Sequence, residues 1–452
     1  MLSVLLAALL GAAPAPANEP TTTGSGISFV EDDLARALAA GRAGHKPVFV
    51  DAWATWCHSC LSMRSYVFPD PGLRPLREAV VWASVDTEQP GNREFVGAHR
   101  LDALPTFLVL DPDTGTVVGQ WIGTATVAEL REFVGGAVDA WTRRTSPDAA
   151  SAALAEAWAA NNRGDRPTAA AAYERAVAAT PAGHPARPQR LSALAMALAA
   201  VGTGDSARRC AELGVRELAS MGNTALVIDF ASSTMDCAAS LPVWRVLTKR
   251  ELRRLAIARL SELVKDASAP LSVDDRSTAY AELVDWLDGA GRHDEAVART
   301  RERVALLEQA AAGAPDVERA ATFDAHRMES YLYLGLAPQA ERLLAARERE
   351  LPDDYNPPAR LARVLFKEGQ LAAAESAMTR ALDKTPRGKR RLGFLELQVD
   401  ILKAQGKPTA AVRRQQLELY RELPATQRSA QREQALEAAR REAERAEASA
   451  AR

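Results

Sequence analysis

Net charge is almost missing from this 452-residue sequence, with 56 Lys and Arg set against 58 Asp and Glu along most of the chain. That balance gives no argument for nucleic acid or an anionic membrane surface as a partner. Aromatic residues are scarce at 6%, while Ala is abundant, a mixture that favours close-packed helices. Cysteine is rarer still, at four residues: Cys57, Cys60, Cys210 and Cys237. No stretch beyond the first residues is long and apolar enough to cross a membrane. What is present is length: 452 residues exceed one compact core, so two or more domains are expected.

Met1 to Ala13 is an apolar run without charge, followed by the small residues Ala15 and Ala17 around Pro16. The pattern predicts a secretory signal over 1–17, a mature start at Asn18, and an exported, periplasmic protein. The run departs from the usual pattern in lacking a preceding Lys or Arg. Residues 18–26, rich in Thr, Gly and Pro, predict a flexible leader.

From 27 to about 142 strand and helix patterns alternate. Asp32 to Ala40 predicts a short helix. The β-prone run Pro47 to Trp53 predicts a buried strand, as do Val80 to Val85 and Thr106 to Leu110. A helix is expected from Cys57 to Phe68, broken by Pro69-Asp70-Pro71, and another over Arg93 to His99. Asp113-Thr114-Gly115 predicts a hairpin turn into Val117 to Ile122, and Val127 to Trp141 a closing helix. The expected fold is α/β, a central mixed sheet flanked by helices.

Past Ser146 and Pro147 the strand patterns stop. Gly164, Gly204, Gly291, Gly335, Gly369 and Gly406 each sit between two helical patterns. Two units stand out. One carries Ala157, Gly164, Ala169, Tyr173, Ala176 and Pro181; the other Ala362, Gly369, Ala373, Ala377, Ala381 and Pro386. Small residues at helical spacing let paired helices pack closely. The run 148–424 resembles tetratricopeptide repeats, which implies an all-α solenoid whose concave face binds a protein partner. Trp158, Tyr173, Trp286, Tyr331 and Tyr333 are expected in the repeat core. Residues 425–452 predict a charged, solvated terminal helix.

Chemistry concentrates at Trp56-Cys57-His58-Ser59-Cys60, a C-x-x-C that follows a strand and opens a helix. Free N–H groups at a helix start stabilise negative charge, so the Cys57 thiol should ionise readily. Cys57 is expected to be exposed and to attack a disulfide; Cys60, one turn on and more buried, would resolve the mixed disulfide.

Val50-Asp51-Ala52-Trp53-Ala54-Thr55-Trp56-Cys57 and Leu104-Pro105-Thr106 resemble the thioredoxin superfamily over about 27–141. The resemblance implies a buried acid at Asp51 that assists deprotonation of Cys60. It implies a cis-proline loop at Leu104 and Pro105, and a substrate groove bordered by Gly123, Trp56 and His58. The run Cys60-Leu61-Ser62-Met63-Arg64, with Val67 to Pro71, is similar to the periplasmic domain of bacterial thiol:disulfide interchange proteins. Clients would then be protein or peptide dithiols or disulfides, served by an upstream thiol donor or acceptor. Two departures stand out: His58-Ser59 replaces the family's usual Gly-Pro, and Trp82 stands where a lysine is often found. A protonated His58 would push the couple toward oxidant.

No cofactor motif is present. His45, His99, His184, His293 and His326 show no ligand spacing, so no metal is assigned. Cys210 and Cys237 read as two small buried hydrophobes, or as a structural disulfide. Two other functions compete: a scaffold whose thioredoxin-like part only docks, and a copper chaperone using both thiolates with His58 or Met63 as third ligand.

Overall fold

The computed structural model describes residues 21–22 and 26–450. The expected signal segment lies outside these residues, as does most of the leader. Six strands form one sheet: β1 (Thr21–Thr22), β2 (Ser28–Glu31), β3 (Val48–Trp53), β4 (Val81–Asp86), β5 (Thr106–Leu110) and β6 (Val117–Ile122). Their order is β1-β2-β4-β3-β5-β6. Central β3 runs parallel to β4 and antiparallel to β5. Around the sheet lie α1 (Leu34–Gly44), α2 (His58–Ser62), α3 (Arg93–Ala98) and α4 (Val127–Thr142).

The continuous apolar runs of β3 and β5 follow from burial on both faces of the sheet. Alternation still sorts the side chains. Val48, Val50 and Ala52 join Ala83, Val85 and Leu108 on one face. Phe49 turns the other way and packs on Trp82, with ring centroids 4.5 Å apart, and on Phe107 at 5.5 Å. Trp82 therefore fills core where a lysine would need a charge partner. The helix begun at His58 passes into a π turn over Met63–Val67, and Asp70 caps a short 3-10 helix over Pro71–Leu76.

From Ala149 to Ala450 the described residues hold only helices and turns, sixteen α-helices in all. Antiparallel pairs repeat, as in Ala149–Asn162 with Arg166–Ala178 and Asn356–Lys367 with Leu371–Lys384. Gly164 and Gly369 make the tight turns with φ of +78° and +73°, a conformation that disfavours any side chain. Ala157, Ala176, Ala362, Ala377 and Ala381 are fully buried between helices. Two expectations shift by a residue or two. Ala373 is exposed and Ala374 takes the inward position. The left-handed turn near 204 belongs to Gly202, because Thr203 caps the next helix, which Gly204 opens. Of the aromatic positions, Tyr333 is only half-buried, its hydroxyl donating to Asp288.

Cys210 and Cys237 form a disulfide that ties the helix Gly204–Glu217 to Ala225–Ala239. The terminal helix Ala430–Ala450 packs on Ala410–Glu422 rather than standing free, with Leu436 buried. One apolar core runs from Trp121 and Val134 of the sheet domain into Leu154 and Trp158 of the array. No helix among the described residues is long and apolar enough to cross a membrane.

Candidate functional site

Strand β3 delivers the chain at Trp53, and a turn brings Cys57 to the N-cap of α2. Its Sγ accepts the Cys60 backbone N–H at 3.1 Å, the contact that would hold a thiolate once the bond is reduced. Cys57 and Cys60 are joined as a disulfide, with Cα atoms 5.2 Å apart. Cys60 is fully buried, in line with the expectation that it is the more buried of the two. Cys57 is only 4% exposed, against the expectation of an open sulfur. Trp53, Trp56 and Leu104 pack around the pair, and the helical array covers the loop that carries it.

Four array side chains make that cover. Asn356 Nδ2 donates to the Thr55 carbonyl at 3.3 Å, and the Thr55 hydroxyl meets the Tyr355 hydroxyl at 2.7 Å. Tyr355 donates in turn to Glu88, which also accepts from Trp56 Nε1 at 3.1 Å. His58 Nδ1 lies 3.0 Å from both oxygens of Asp274, a carboxylate buried completely in the helix Val273–Asp288. His58 Nε2 lies 3.3 Å from His326 Nε2.

The electrostatics of this trio are set by burial. Burial alone would lower the His58 pKa, but Asp274 overrides it and the net direction is up. Burial pushes Asp274 up, and His58 with His326 pulls it below the ordinary carboxylate value. His326 is driven well below the usual histidine range by burial and by His58. The arrangement is a chain in which His58 meets the Asp274 carboxylate through Nδ1 and the His326 ring through Nε2. The three side chains keep donor atoms within 4.8 Å of one another and are the one group of metal-ligating types gathered this way among the described residues. Both Asp274 oxygens face His58 Nδ1, and His326 Nδ1 lies 3.9 Å from Asp274 Oδ1.

Asp51 sits in β3 at 1% exposure. Burial raises its carboxyl to about 7 despite Arg64, whose Nη1 lies 3.4 Å away. One Asp51 oxygen has no hydrogen-bond partner. Arg64 also bonds Ser84 and Glu31 and stacks over Trp53 at 4.2 Å. The Leu104–Pro105 peptide is cis, and the Pro105 carbonyl accepts the Gly123 N–H at 2.9 Å. Gly123 has φ +91°, and a Cβ there would stand 2.5 Å from Asp229 Oδ2, so the array approaches the groove too closely for any side chain.

The array forms one wall of the groove beside the cis-proline. Ser59, Leu104, Pro105 and Gly123 share a cavity of about 180 Å³ with Ile228, Asp229 and Asp275 of the array. Burial and neighbouring carboxylates raise Asp229 to about 7 and Asp275 to about 6. Met63, the other candidate copper ligand, is packed in the core at 1% exposure. Sequence reasoning assigned no role to Asp274, His326, Tyr355 or Arg64 in the site. Only Arg64 carried a local signal, one helical turn past Cys60.

Residues 30–112 match the family model described as thioredoxin-like. This segment is a thioredoxin-like domain carrying a C-x-x-C pair, the active-site arrangement of thiol–disulfide oxidoreductases. Among curated proteins it is similar to the thiol:disulfide interchange protein DsbD of Pseudoalteromonas atlantica, 35% identical over 82 residues, 18% of this chain and 14% of that protein. The protein of the same name from Vibrio vulnificus is 32% identical over 91 residues, 19% of this chain and 15% of that protein. The chain thus spans about one-seventh of the length of these relatives. A tetratricopeptide repeat protein from Parabacteroides merdae aligns with a TM-score of 0.37 and 12% identity, over 64% of this chain and 97% of that one.

Proposed function

We propose that this chain is an exported protein-disulfide reductase or interchange enzyme, with the helical array as its partner-binding part. The observation that carries the reading is the Cys57–Cys60 disulfide at a strand-to-helix junction, with a backbone N–H aimed at Cys57 Sγ. In the reduced enzyme the Cys57 thiolate attacks one sulfur of a client disulfide. The client's other sulfur leaves as thiolate and takes a proton. Cys60, deprotonated by Asp51, attacks Cys57 Sγ and expels the client's second thiolate. Two electrons and two protons pass to the client, Cys57–Cys60 closes, and an upstream protein dithiol restores it. Run in reverse, the same steps oxidise a client dithiol. Export is supported by the apolar N-terminal run and by a second disulfide far from the first.

A Cys60→Ser variant tests this reading: it should accumulate a mixed disulfide with client through Cys57, and Cys57→Ser should form none. Disulfide turnover at an unchanged rate in Cys57→Ser would end it. The burial of both sulfurs favours a second reading, a scaffold with an inert docking domain. Full cellular function in Cys57→Ser/Cys60→Ser would decide for that one.

A further inference from the structure

Burial of the disulfide poses a question of access. The array narrows the groove along Pro105 to about 180 Å³, and a larger cavity of about 620 Å³ lies on the other side of the same loop. Trp56 and Leu104 form its inner wall, and these two side chains also pack against Cys57 and Cys60. The outer wall is the start of the helix Lys389–Ala404 and the segment around Leu423. This is the volume of a site for a few residues of extended peptide.

Its charge is one-sided. Asp102 is shared by Arg100 at 3.1 Å and Arg166 at 3.3 Å, and Glu422 is held by Arg387 at 2.6 Å. Glu88 accepts hydrogen bonds from Trp56 and Tyr355, which engage its carboxylate. Among the described residues, Arg93, Lys389 and Arg390 of the same wall make no ion pair. Arg390 lies over Trp56 at 5.1 Å and over Phe394 at 4.8 Å, and its Nε has no hydrogen-bond partner. A half-buried guanidinium that makes no ion pair, stacked on the residue that precedes Cys57, is a ready carboxylate receptor.

We infer that this cleft is the way in to Cys57, and that it selects a disulfide carried on an acidic peptide segment. The inference rests on the redox reading above. Arg390 and Lys389 would hold carboxylates flanking the client's cysteine while Trp56 and Leu104 yield to admit its sulfur. The long-range field of the unpaired cations would also speed encounter, an effect that salt screens.

The test uses the full chain, kept reduced by glutathione with glutathione reductase and NADPH and with the uncatalysed rate subtracted, and two disulfide-linked peptide dimers of equal length, one with Glu and one with Lys on either side of the Cys. The Glu dimer should be reduced with a KM about tenfold below that of the Lys dimer. That preference should fall to about twofold or less in Lys389→Glu and Arg390→Gln, and with added salt, while kcat for the Glu dimer holds. Lys389 is exposed, so its variant keeps the test alive if Arg390→Gln fails to fold. Equal KM values, or a preference for Lys, would overturn the acidic-peptide assignment and leave the redox reading standing. Binding of the Glu dimer alone to Cys57→Ser/Cys60→Ser, with no turnover of either dimer by the native chain, would keep the cleft and overturn the redox reading.

Discussion

His58 Nδ1 and the Asp274 carboxylate meet at 3.0 Å although 216 residues separate them in the chain. One stands next to the reactive cysteine and the other is fully buried in the array, so the two parts share one electrostatic unit at the disulfide. The folded pKa of His58 is raised, so its contribution to stability is present below the ordinary 6.5 and lost as pH rises through the folded value. The folded pKa of Asp274 is lowered, so its contribution is present above the ordinary 3.8 and lost as pH falls through the folded value. The pair therefore stabilises most between those limits. Asp274→Ala should cost about 1.5–3 kcal/mol at pH 6, as for a hydrogen bond to a charged group. Denaturant unfolding of both proteins across pH checks this: the gap should narrow toward alkaline pH.

Asp51 predicts a pH effect of the opposite sense. Its folded pKa of about 7 lies above its ordinary 3.8, so ionisation costs stability as pH rises across that interval. Asp51→Asn should match the native chain in stability at pH 4 and exceed it at pH 8. The same variant should resolve a Cys57 mixed disulfide about 10²-fold more slowly, with the inflection near pH 7 removed. Stopped-flow resolution of a preformed mixed disulfide reads the rate.

Much of the sheet domain was legible because its local signals agree. The apolar runs at 48–53 and 106–110, the Asp113-Thr114-Gly115 turn and the paired Cys each specify structure within a few residues. The burial of Cys57 was not legible. It depends on Tyr355 and Asn356, about three hundred residues downstream, and no local pattern encodes a contact of that range. His326 was similarly silent: one histidine in an amphipathic helix has the same sequence signature whether it packs in a core or faces an active site. The repeat phase slipped at Ala373 because Ala373 and Ala374 are equivalent by composition and only the packing chooses between them.

Cys210–Cys237 closes a loop 27 residues long across two helices and their connection. Its removal as Cys210→Ala/Cys237→Ala should cost about 3.5 kcal/mol by loop-closure entropy. It should leave the Cys57–Cys60 exchange rate intact. The denaturation midpoint and the rate of thiol exchange, measured on one preparation, separate the two effects.

Tyr355→Phe removes the hydroxyl that joins Thr55 to Glu88. With that tie cut, the reduced Cys57 should be alkylated faster, by several-fold, while the fold holds because the ring still packs on Phe394 at 5.8 Å. Quenched iodoacetamide labelling with mass detection gives the rate.

Equilibration with graded glutathione redox buffers, followed by alkylation and mass analysis of each cysteine, addresses the central claim most directly. The account predicts that Cys57 and Cys60 titrate together as one two-electron couple, at a potential above roughly −300 mV, while Cys210–Cys237 stays oxidised throughout. If both disulfides stay closed across the whole series, Cys57 and Cys60 are a structural bridge and the redox assignment is wrong.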